Sequence, residues 1–385
     1  MRAPIERAVR PVVGLDATVL ASGHGIRGIG RYVDGLLRAL AADRPDWVAD
    51  HLGTLVLPGQ APPTATGWRT RRSPVRPQDL DWLLAPAFDR RAVAAGRPTV
   101  WHHTDPRIPW SPLPADRTLV TVYDLIPLAE PVVLERMRPH HRLAYRRYLR
   151  LVQKAAGVVA ISESTARDVV QRLGVPRERV HVVPPYVQLD PAHDRAAPGP
   201  TESGSAVTGA APTFLFVGIP EPHKRPELAI DAFAAFATGG RTGQLVFVGH
   251  HPEGTRGALR ERAHGLGVGD RTRFLDRLSD GALHDLYASG VVLALSRIEG
   301  FGLPPAEALL AGGRVVATPC DAYDEVLAGA AVRSTDATPR SVAAAMTAAL
   351  ERPPDPAAGA AIAARYGAST VATALVNAYE WILAR

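Results

Sequence analysis

Cysteine is almost absent from this 385-residue sequence, in which Cys320 is the only one. A lone thiol excludes an internal disulfide and a zinc or iron–sulfur site built from cysteines, so we expect a reducing compartment, the cytoplasm. No run approaches the ~18 apolar residues of a membrane-spanning helix, and the first residues lack the apolar stretch of a secretory signal. We therefore expect a chain that neither spans a membrane nor is exported.

Metal-binding patterns are missing as well. No Asp-x-Asp motif lies in a loop at the end of a predicted strand, and the adjacent His102 and His103 have no partners at ligand spacing. We therefore predict no metal ion and no cofactor.

Basic residues exceed acidic ones, and the formal net charge is +6. Such an excess suits a nucleic acid, an anionic membrane surface or a phosphate-rich substrate. Zinc-finger spacing, an RNA-binding aromatic motif and a long lysine tract are all lacking. We therefore predict that nucleic acid is not a partner.

The first half of the sequence alternates between short apolar runs and amphipathic stretches, such as a predicted helix over 164–173. Strands are predicted over 12–16, 118–123, 158–161 and 180–183, with a glycine-bearing loop over 23–30 after the first. This alternation is typical of a parallel sheet covered by helices.

A stretch rich in proline, glycine, alanine and serine interrupts the pattern and is predicted to be a linker. Strands then resume over 214–217, 245–248, 273–275, 291–295 and 315–317. The apolar content of 46% and the length suit two domains of about 150–200 residues. We predict a first domain (1–187), the linker (188–212), a second domain (213–366) and a C-terminal helix (367–385).

The segment SRIEGFGLPPAEALLAG, residues 296–312, directly follows an apolar strand. Gly300 and Gly302 permit a tight turn into a helix whose first amides can hold a phosphate. Glu299 and Glu307, eight residues apart, can both face one ligand and accept hydrogen bonds from sugar hydroxyls. The alternative is that these acids only stabilise the start of the helix.

A second candidate site lies in FLFVGIPEPHKRPELAIDAFAAF, residues 214–236, where a strand ends at Gly218 and a basic loop precedes a helix. Lys224 places a positive charge in that loop. The alternative is a solvated Lys–Arg pair at a helix start.

The stretch RIEGFGLPPAEALLAGGRVVAT resembles the E-x7-E signature of retaining glycosyltransferase family 4, and residues 214–225 resemble its VGT-x-EPRKN loop. The resemblance implies that Glu299 contacts the transferred sugar, Glu307 holds the nucleotide ribose, and Lys224 neutralises the donor diphosphate. His223 and Arg225 depart from the family's Arg and Asn. The donor site implied in this way contains Gly218, His223, Lys224, Arg225, His250, Leu275, Glu299, Gly300, Phe301, Gly302, Leu303 and Glu307.

In the first domain, HGIRGIGRYVDGLLRAL resembles the family's glycine loop, in which Gly28 and Gly30 let the backbone approach an acceptor or a phosphate. TVYDLIPL resembles its HDLIP segment, with Tyr123 in the position of histidine. Family logic places Tyr123 and Asp124 beside the reacting sugar, although tyrosine is a poor base at neutral pH. Asp124 can equally hold the following loop by backbone hydrogen bonds.

The implied fold is GT-B: two Rossmann-like, doubly wound α/β domains that face a central cleft, with the C-terminal helix returning to the first domain. The implied activity is metal-independent transfer of a hexose with retention, with mannose from GDP-mannose as the first expectation. A saccharide, a lipid-linked saccharide or a natural product remains open as acceptor. An epimerase and a non-catalytic nucleotide-sugar-binding protein of the same fold remain alternatives.

Arginines recur at helical spacing in the first domain, at Arg142, Arg146 and Arg150, beside Arg136, Arg138 and Arg147. This pattern predicts a basic helix face. The face is either solvated or in peripheral contact with an anionic membrane.

Overall fold

The computed structural model describes residues 12–21, 28–56, 69–72, 98–189, 211–276 and 278–385. The chain divides into two compact units, the first made of residues 1–186 and 367–385 and the second of residues 187–366. Each unit contains one parallel sheet, and both sheets are doubly wound as predicted.

The sheet of the first unit has seven strands in the order β3-β2-β1-β4-β5-β6-β7, and every neighbouring pair is parallel. The strand order reverses between β1 and β4, the place where ligands of such sheets bind. The strands are β1 (Val13–Asp16), β2 (Leu52–Val56), β3 (Arg69–Arg72), β4 (Val100–His103), β5 (Thr118–Val122), β6 (Gly157–Ala160) and β7 (Val180–Val182).

Helices of the first unit connect these strands, and their ends follow local sequence signals. Ser162 accepts a hydrogen bond from the Thr165 amide at 3.0 Å and begins α6, and Gly174, with a φ of 66°, ends it. The helices are α1 (Gly28–Asp43), α2 (Pro45–His51), α3 (Ile126–Ala129), α4 (Pro131–Arg136), α5 (Pro139–Lys154) and α6 (Glu163–Leu173).

The second unit has six parallel strands in the order β10-β9-β8-β11-β12-β13, which reverses between β8 and β11. Its strands are β8 (Thr213–Val217), β9 (Gln244–Val248), β10 (Thr272–Leu275), β11 (Val291–Ala294), β12 (Arg314–Ala317) and β13 (Val332–Arg333). Its helices are α7 (Pro226–Ala237), α8 (Glu253–Gly265), α9 (Asp280–Ser289), α10 (Leu303–Leu310), α11 (Asp321–Leu327), α12 (Pro339–Glu351) and α13 (Pro356–Tyr366).

The core of the second unit is rich in phenylalanine. Phe214 and Phe233 are fully buried, and the rings of Phe247 and Phe274 stack with centroids 4.9 Å apart. The strands β8 and β11 are almost continuous apolar runs because helices cover both faces of a parallel sheet. This core fixes the two strands whose ends carry the predicted site.

The C-terminal helix α14 (Ala368–Leu383) belongs to the first unit, as the predicted fold required. Its buried Tyr379 stacks on Trp47, and the Tyr379 hydroxyl lies 2.8 Å from Nδ1 of His102. Nε2 of His102 lies 2.8 Å from the Thr121 hydroxyl. Complete burial, aided by the neighbouring His103, lowers the pKa of His102 to about 3, so the ring is neutral.

Most predicted strands lie within one residue of the observed ones, but β2, β3, β4 and β13 were not predicted. The glycine loop predicted over 23–30 was wrong at its end, because α1 already begins at Gly28. Residues 22–27 and most of the predicted linker, 190–210, lie outside the described residues.

Candidate functional site

The loops that follow β8 and β11 meet at the carboxyl edge of the second unit's sheet, because these strands are neighbours at the reversal of strand order. This is the position at which open α/β sheets bind ligands. Both sequence motifs, 214–225 and 296–312, therefore fall on one edge of one sheet.

Two backbone-anchored contacts join the loops. The amide of Arg297 donates to the carbonyl of His223 at 2.8 Å. The guanidinium of Arg225 donates to the carbonyl of Leu295 at 3.2 Å. The backbone of Arg225 adopts a left-handed conformation with a φ of 53°, which is uncommon for a residue other than glycine. Its side chain thus ties the two loops together.

A third contact joins the loops through their charged side chains. Nζ of Lys224 donates to Oε1 of Glu299 at 3.4 Å, with the two side chains 25% and 16% exposed. The other carboxylate oxygen of Glu299 is buried and has no hydrogen-bond partner among the described residues. A buried carboxylate oxygen without a donor is costly, so a ligand hydroxyl there would be stabilising.

The Lys224–Glu299 pair lines a cavity with about 350 Å³ of empty volume. The cavity lies over the ends of β8 and β11, and its wall includes Ser296, Gly302 and Tyr323.

Gly302 shapes the rim of the cavity at the start of α10. Its φ is 98°, a conformation that side chains rarely adopt, and a Cβ atom there would lie 2.9 Å from Cε1 of Tyr323. Tyr323 is buried and hydrogen-bonded to Ser296, and burial beside the Glu299 carboxylate raises its pKa. Only glycine fits between Tyr323 and the first turn of the helix.

Few backbone amides are available to a ligand at the start of α10, which lies at this edge of the sheet. The first four amides of a helix have no partner within it, and here two of the four positions are Pro304 and Pro305, which carry no N–H. The amides of Gly302 and Leu303 therefore remain for a ligand. Ala306 is the first residue whose amide bonds within the helix, to the carbonyl of Gly302 at 3.2 Å.

Glu307 lies inside α10 and is only 2% exposed. Its carboxylate accepts a hydrogen bond from the hydroxyl of Tyr287, in α9, at 3.1 Å. Glu307 is not among the residues that line the cavity, so the structure brings Lys224 and Glu299 together there without it. The ribose contact implied by the resemblance remains a prediction.

His250 and Leu275, two of the residues predicted at the donor site, lie where β9 and β10 end. His250 is exposed, whereas the adjacent His251 is 4% exposed and neither of its ring nitrogens has a partner among the described residues. Burial, with the nearby Arg256 cation, lowers the pKa of His251 to about 4. Leu275 ends β10, and its carbonyl accepts from the Gly249 amide at 3.0 Å. His251 is thus a residue that the sequence did not single out.

The remaining predicted donor residues are mainly structural in their contacts. Phe301 is buried and packs edge-on against Tyr366, with centroids 5.0 Å apart. His223 is buried, with Nδ1 3.6 Å from a carboxylate oxygen of Glu221. Gly218 has a φ of 122°, and a Cβ atom there would lie 3.9 Å from Nζ of Lys224. Gly218 therefore leaves space beside the lysine.

In the first unit, the hydroxyl of Tyr123 donates to the carbonyl of Thr104 at 2.8 Å, and burial raises its pKa well above the usual value. A carboxylate oxygen of Asp124 accepts from the Ile126 amide at 3.0 Å, which is the loop-holding contact weighed for it. Gly28 and Gly30 lie in the first turn of α1, Gly28 exposed and Gly30 buried.

Ser296 and Tyr323 line the cavity, although the sequence did not point to them as site residues. A signal for both exists in the topology. Ser296 lies two residues after the end of β11, and Tyr323 lies beyond the end of β12, the next strand in the sheet. Among the described residues, no group of three or more histidine, cysteine, aspartate or glutamate side chains could hold a metal ion.

Two family models match the chain. The model described as Glycosyltransferase Family 4 matches residues 26–191, and that described as Glycosyl transferases group 1 matches residues 204–364. Together the matches cover most of both units. The chain belongs to the family 4 glycosyltransferases.

A D-inositol 3-phosphate glycosyltransferase of Geodermatophilus obscurus is 33% identical to the chain over 230 residues, which are 56% of this chain and 50% of that protein. The chain spans about half the length, or less, of the curated relatives it matches. Their activity is therefore a guide to experiments rather than a property of this chain.

Solved structures share the fold over nearly the whole chain. Anabaena HepE, crystallised with UDP and glucose, has a TM-score of 0.68 at 17% identity, over 97% of this chain and 100% of that chain. Sucrose-phosphate synthase from Thermosynechococcus elongatus has a TM-score of 0.72 at 18% identity, over 97% of this chain and 100% of that chain. These likenesses confirm the predicted two-domain GT-B fold class.

Proposed function

We propose that the chain transfers a hexose from a nucleoside diphosphate sugar to an acceptor hydroxyl, and that the second unit binds the donor. The observation that carries the proposal is the pairing of Lys224 with Glu299 at 3.4 Å in the wall of the cavity. A cation suits the diphosphate, and the free oxygen of Glu299 suits a sugar hydroxyl.

The proposed reaction proceeds with retention at the anomeric carbon and without a metal ion. The bond between the anomeric carbon and the diphosphate oxygen breaks, and the acceptor oxygen forms a new bond on the same face of the sugar. The acceptor proton passes to the departing phosphate oxygen. Lys224 and the amides of Gly302 and Leu303 stabilise the charge that develops on the diphosphate. Because the protein holds these groups in place, no reorganisation of solvent is needed when the bond breaks.

Glu299 has a second role in this proposal. Its carboxylate accepts a hydrogen bond from Lys224, and a bound diphosphate would compete for the same ammonium group. Glu299 is then available to orient the transferred sugar through its hydroxyls. The pair would thus exchange partners when the donor binds.

Mannose from GDP-mannose is the donor that we propose first, on the resemblance of the two motifs. UDP-glucose is the second donor to test, because the structural neighbour from Anabaena was crystallised with UDP and glucose. A saccharide, a lipid-linked saccharide or a phosphorylated polyol is the proposed acceptor class, the last because the curated relatives are named for inositol 3-phosphate.

A thermal-shift screen against GDP-, UDP-, ADP- and dTDP-sugars tests the donor. A ligand at 100 times its dissociation constant stabilises the folded chain by about 2.7 kcal/mol. The selected donor is then incubated with an acceptor panel, and release of nucleoside diphosphate is measured together with the glycoside product. Interconversion of the donor without an acceptor would instead identify an epimerase, and binding without product in any combination would favour a non-catalytic protein.

A further inference from the structure

The basic helix face predicted from the sequence is not explained by the donor site. Helix α5 contains no acidic residue among its 16. Its exposed side includes Leu143, Arg146, Arg147 and Arg150, which the spacing of 3, 4 and 7 residues places on one helical face.

The arginines of this face are available to bind something outside the chain. Arg146, Arg147 and Arg150 are exposed, and none forms a hydrogen bond or ion pair with a described residue. By contrast, the exposed Arg262 pairs with Asp231, and the exposed Arg177 pairs with Glu163. Three unneutralised arginines on one helix face make a concentrated positive surface.

Arg142 does not belong to this surface, contrary to the sequence-based expectation. Its guanidinium donates to the backbone carbonyls of Glu135 at 2.7 Å and Met137 at 3.3 Å, and the side chain is half-buried. It therefore joins the first turn of α5 to the end of α4. Arg136 and Arg138, in the same connection, are exposed.

Two exposed large apolar side chains lie in the same two helices as these cations. Val132, in α4, is 55% exposed, and Leu143 is 44% exposed. Among the described residues only Leu266, in the second unit, is another large apolar side chain this exposed. On the helical wheel, Leu143 has Arg147 on one side and Arg146 and Arg150 on the other. Insertion of the Leu143 side chain into a bilayer would therefore bring all three guanidinium groups to the plane of the headgroups.

We propose that the α4–α5 surface, defined as Val132, Arg136, Arg138, Leu143, Arg146, Arg147 and Arg150, docks the chain on an anionic lipid bilayer. The arginines bind lipid phosphates, and Val132 and Leu143 enter the boundary between headgroups and acyl chains. No helix in the described part of the chain is long and apolar enough to cross a membrane, so this contact is peripheral. A nucleic acid would use the arginines but would gain nothing from the two aliphatic side chains.

Sedimentation with vesicles tests the proposal without donor or acceptor, so its outcome is independent of the proposed sugar transfer. The full chain should bind vesicles of phosphatidylcholine mixed with phosphatidylglycerol, and not vesicles of phosphatidylcholine alone. The triple variant Arg146→Gln, Arg147→Gln, Arg150→Gln should bind the mixed vesicles roughly 100-fold more weakly, at about five-fold per arginine. Exposed positions of this kind should leave the melting temperature unchanged.

The apolar residues give the sharper discrimination. Leu143→Ser and Val132→Ser should each weaken vesicle binding about five-fold, as expected for loss of a half-buried aliphatic contact. The matched controls in the second unit, Leu266→Ser and the pair Arg340→Gln with Arg352→Gln, should bind as the parent chain does. Equal binding to neutral vesicles, or full binding by the triple variant, would refute the proposal. Tight binding to an oligonucleotide that is insensitive to Leu143→Ser would assign the surface to a polyanion instead.

Discussion

Replacing Lys224 with glutamine separates a catalytic cation from a structural one. The ion pair with Glu299 is 3.4 Å long and part-exposed, and pairs of this kind contribute about 0.2–1 kcal/mol to stability. For a unit of this size, the melting temperature should fall by less than about 4 °C. The transfer rate should fall ~10²- to 10³-fold, equivalent to about 2.7–4 kcal/mol, because the diphosphate then leaves without its counter-charge.

The sequence contains only two lysines, so Lys154→Gln is a matched control. Lys154 is exposed at the end of α5 and should be replaceable without effect on stability or turnover in a vesicle-free assay. Glu299→Gln and the double variant complete a double-mutant cycle measured by kcat and by thermal melting. Because both side chains act on the same leaving group and sugar, the double variant should lose less than the sum of the two single losses.

Two results would refute this reasoning. A loss of turnover that follows the loss of folded protein would mean that Lys224 acts only through stability. Additive effects of Lys224→Gln and Glu299→Gln on kcat would mean that the two residues do not act on one bound ligand.

Three further predictions concern other residues. Gly302→Ala should destabilise the second unit by about 1–3 kcal/mol and weaken donor binding, because the new Cβ atom would combine a φ of 98° with a contact of 2.9 Å to Tyr323. The control is Gly281→Ala, whose Cβ atom would meet no atom within 4 Å. Equal melting temperatures of the two variants would contradict the expectation. His102→Gln should remove a pH dependence of the free energy of unfolding. The pKa of His102 is lowered from 6.5 in the unfolded chain to about 3 in the folded one, so the parent chain is fully stable above pH 6.5. Between pH 6.5 and pH 3 its free energy of unfolding falls by about 1.4 kcal/mol per pH unit, because only the unfolded chain takes up the proton. A denaturant series across that pH range that shows the same slope for both proteins would contradict it. Tyr123→Phe should cost about 1 kcal/mol of stability, through the lost hydrogen bond to Thr104, and change kcat by less than about three-fold; a loss of 100-fold at unchanged stability would instead place the hydroxyl on the reacting sugar.

Aliphatic runs made most of the strands predictable, and the exceptions have physical causes. β4 contains Trp101, His102 and His103, a composition that does not predict a buried strand. His102 can be buried because the hydroxyls of Tyr379 and Thr121 lie within hydrogen-bond distance of its two ring nitrogens. Tyr379 lies 277 residues away in the sequence, so no local pattern reveals that contact. The edge strand β3, with the sequence RTRR, has no apolar residue from which to predict it.

The candidate site was predictable where one loop carries its own signal. Glu299 and Lys224 each stand in a strand–loop–helix segment that resembles a known motif, and both line the cavity. Their mutual contact depends on β8 and β11 being neighbours across 75 residues, which is a property of the sheet. The burial of His251 rather than His250 was also not predictable from two adjacent histidines in the sequence.

We propose above all that a nucleoside diphosphate sugar binds in the second unit with its diphosphate against Lys224. A nucleoside diphosphate whose terminal phosphate carries a pyridoxal aldehyde tests it, because the aldehyde forms an imine with a nearby lysine that borohydride fixes. Peptide mass spectrometry should find the label on Lys224, with excess donor sugar preventing it and Lys154 unlabelled. Labelling of Lys154 to the same extent, or labelling of Lys224 that donor sugar does not prevent, would contradict the account.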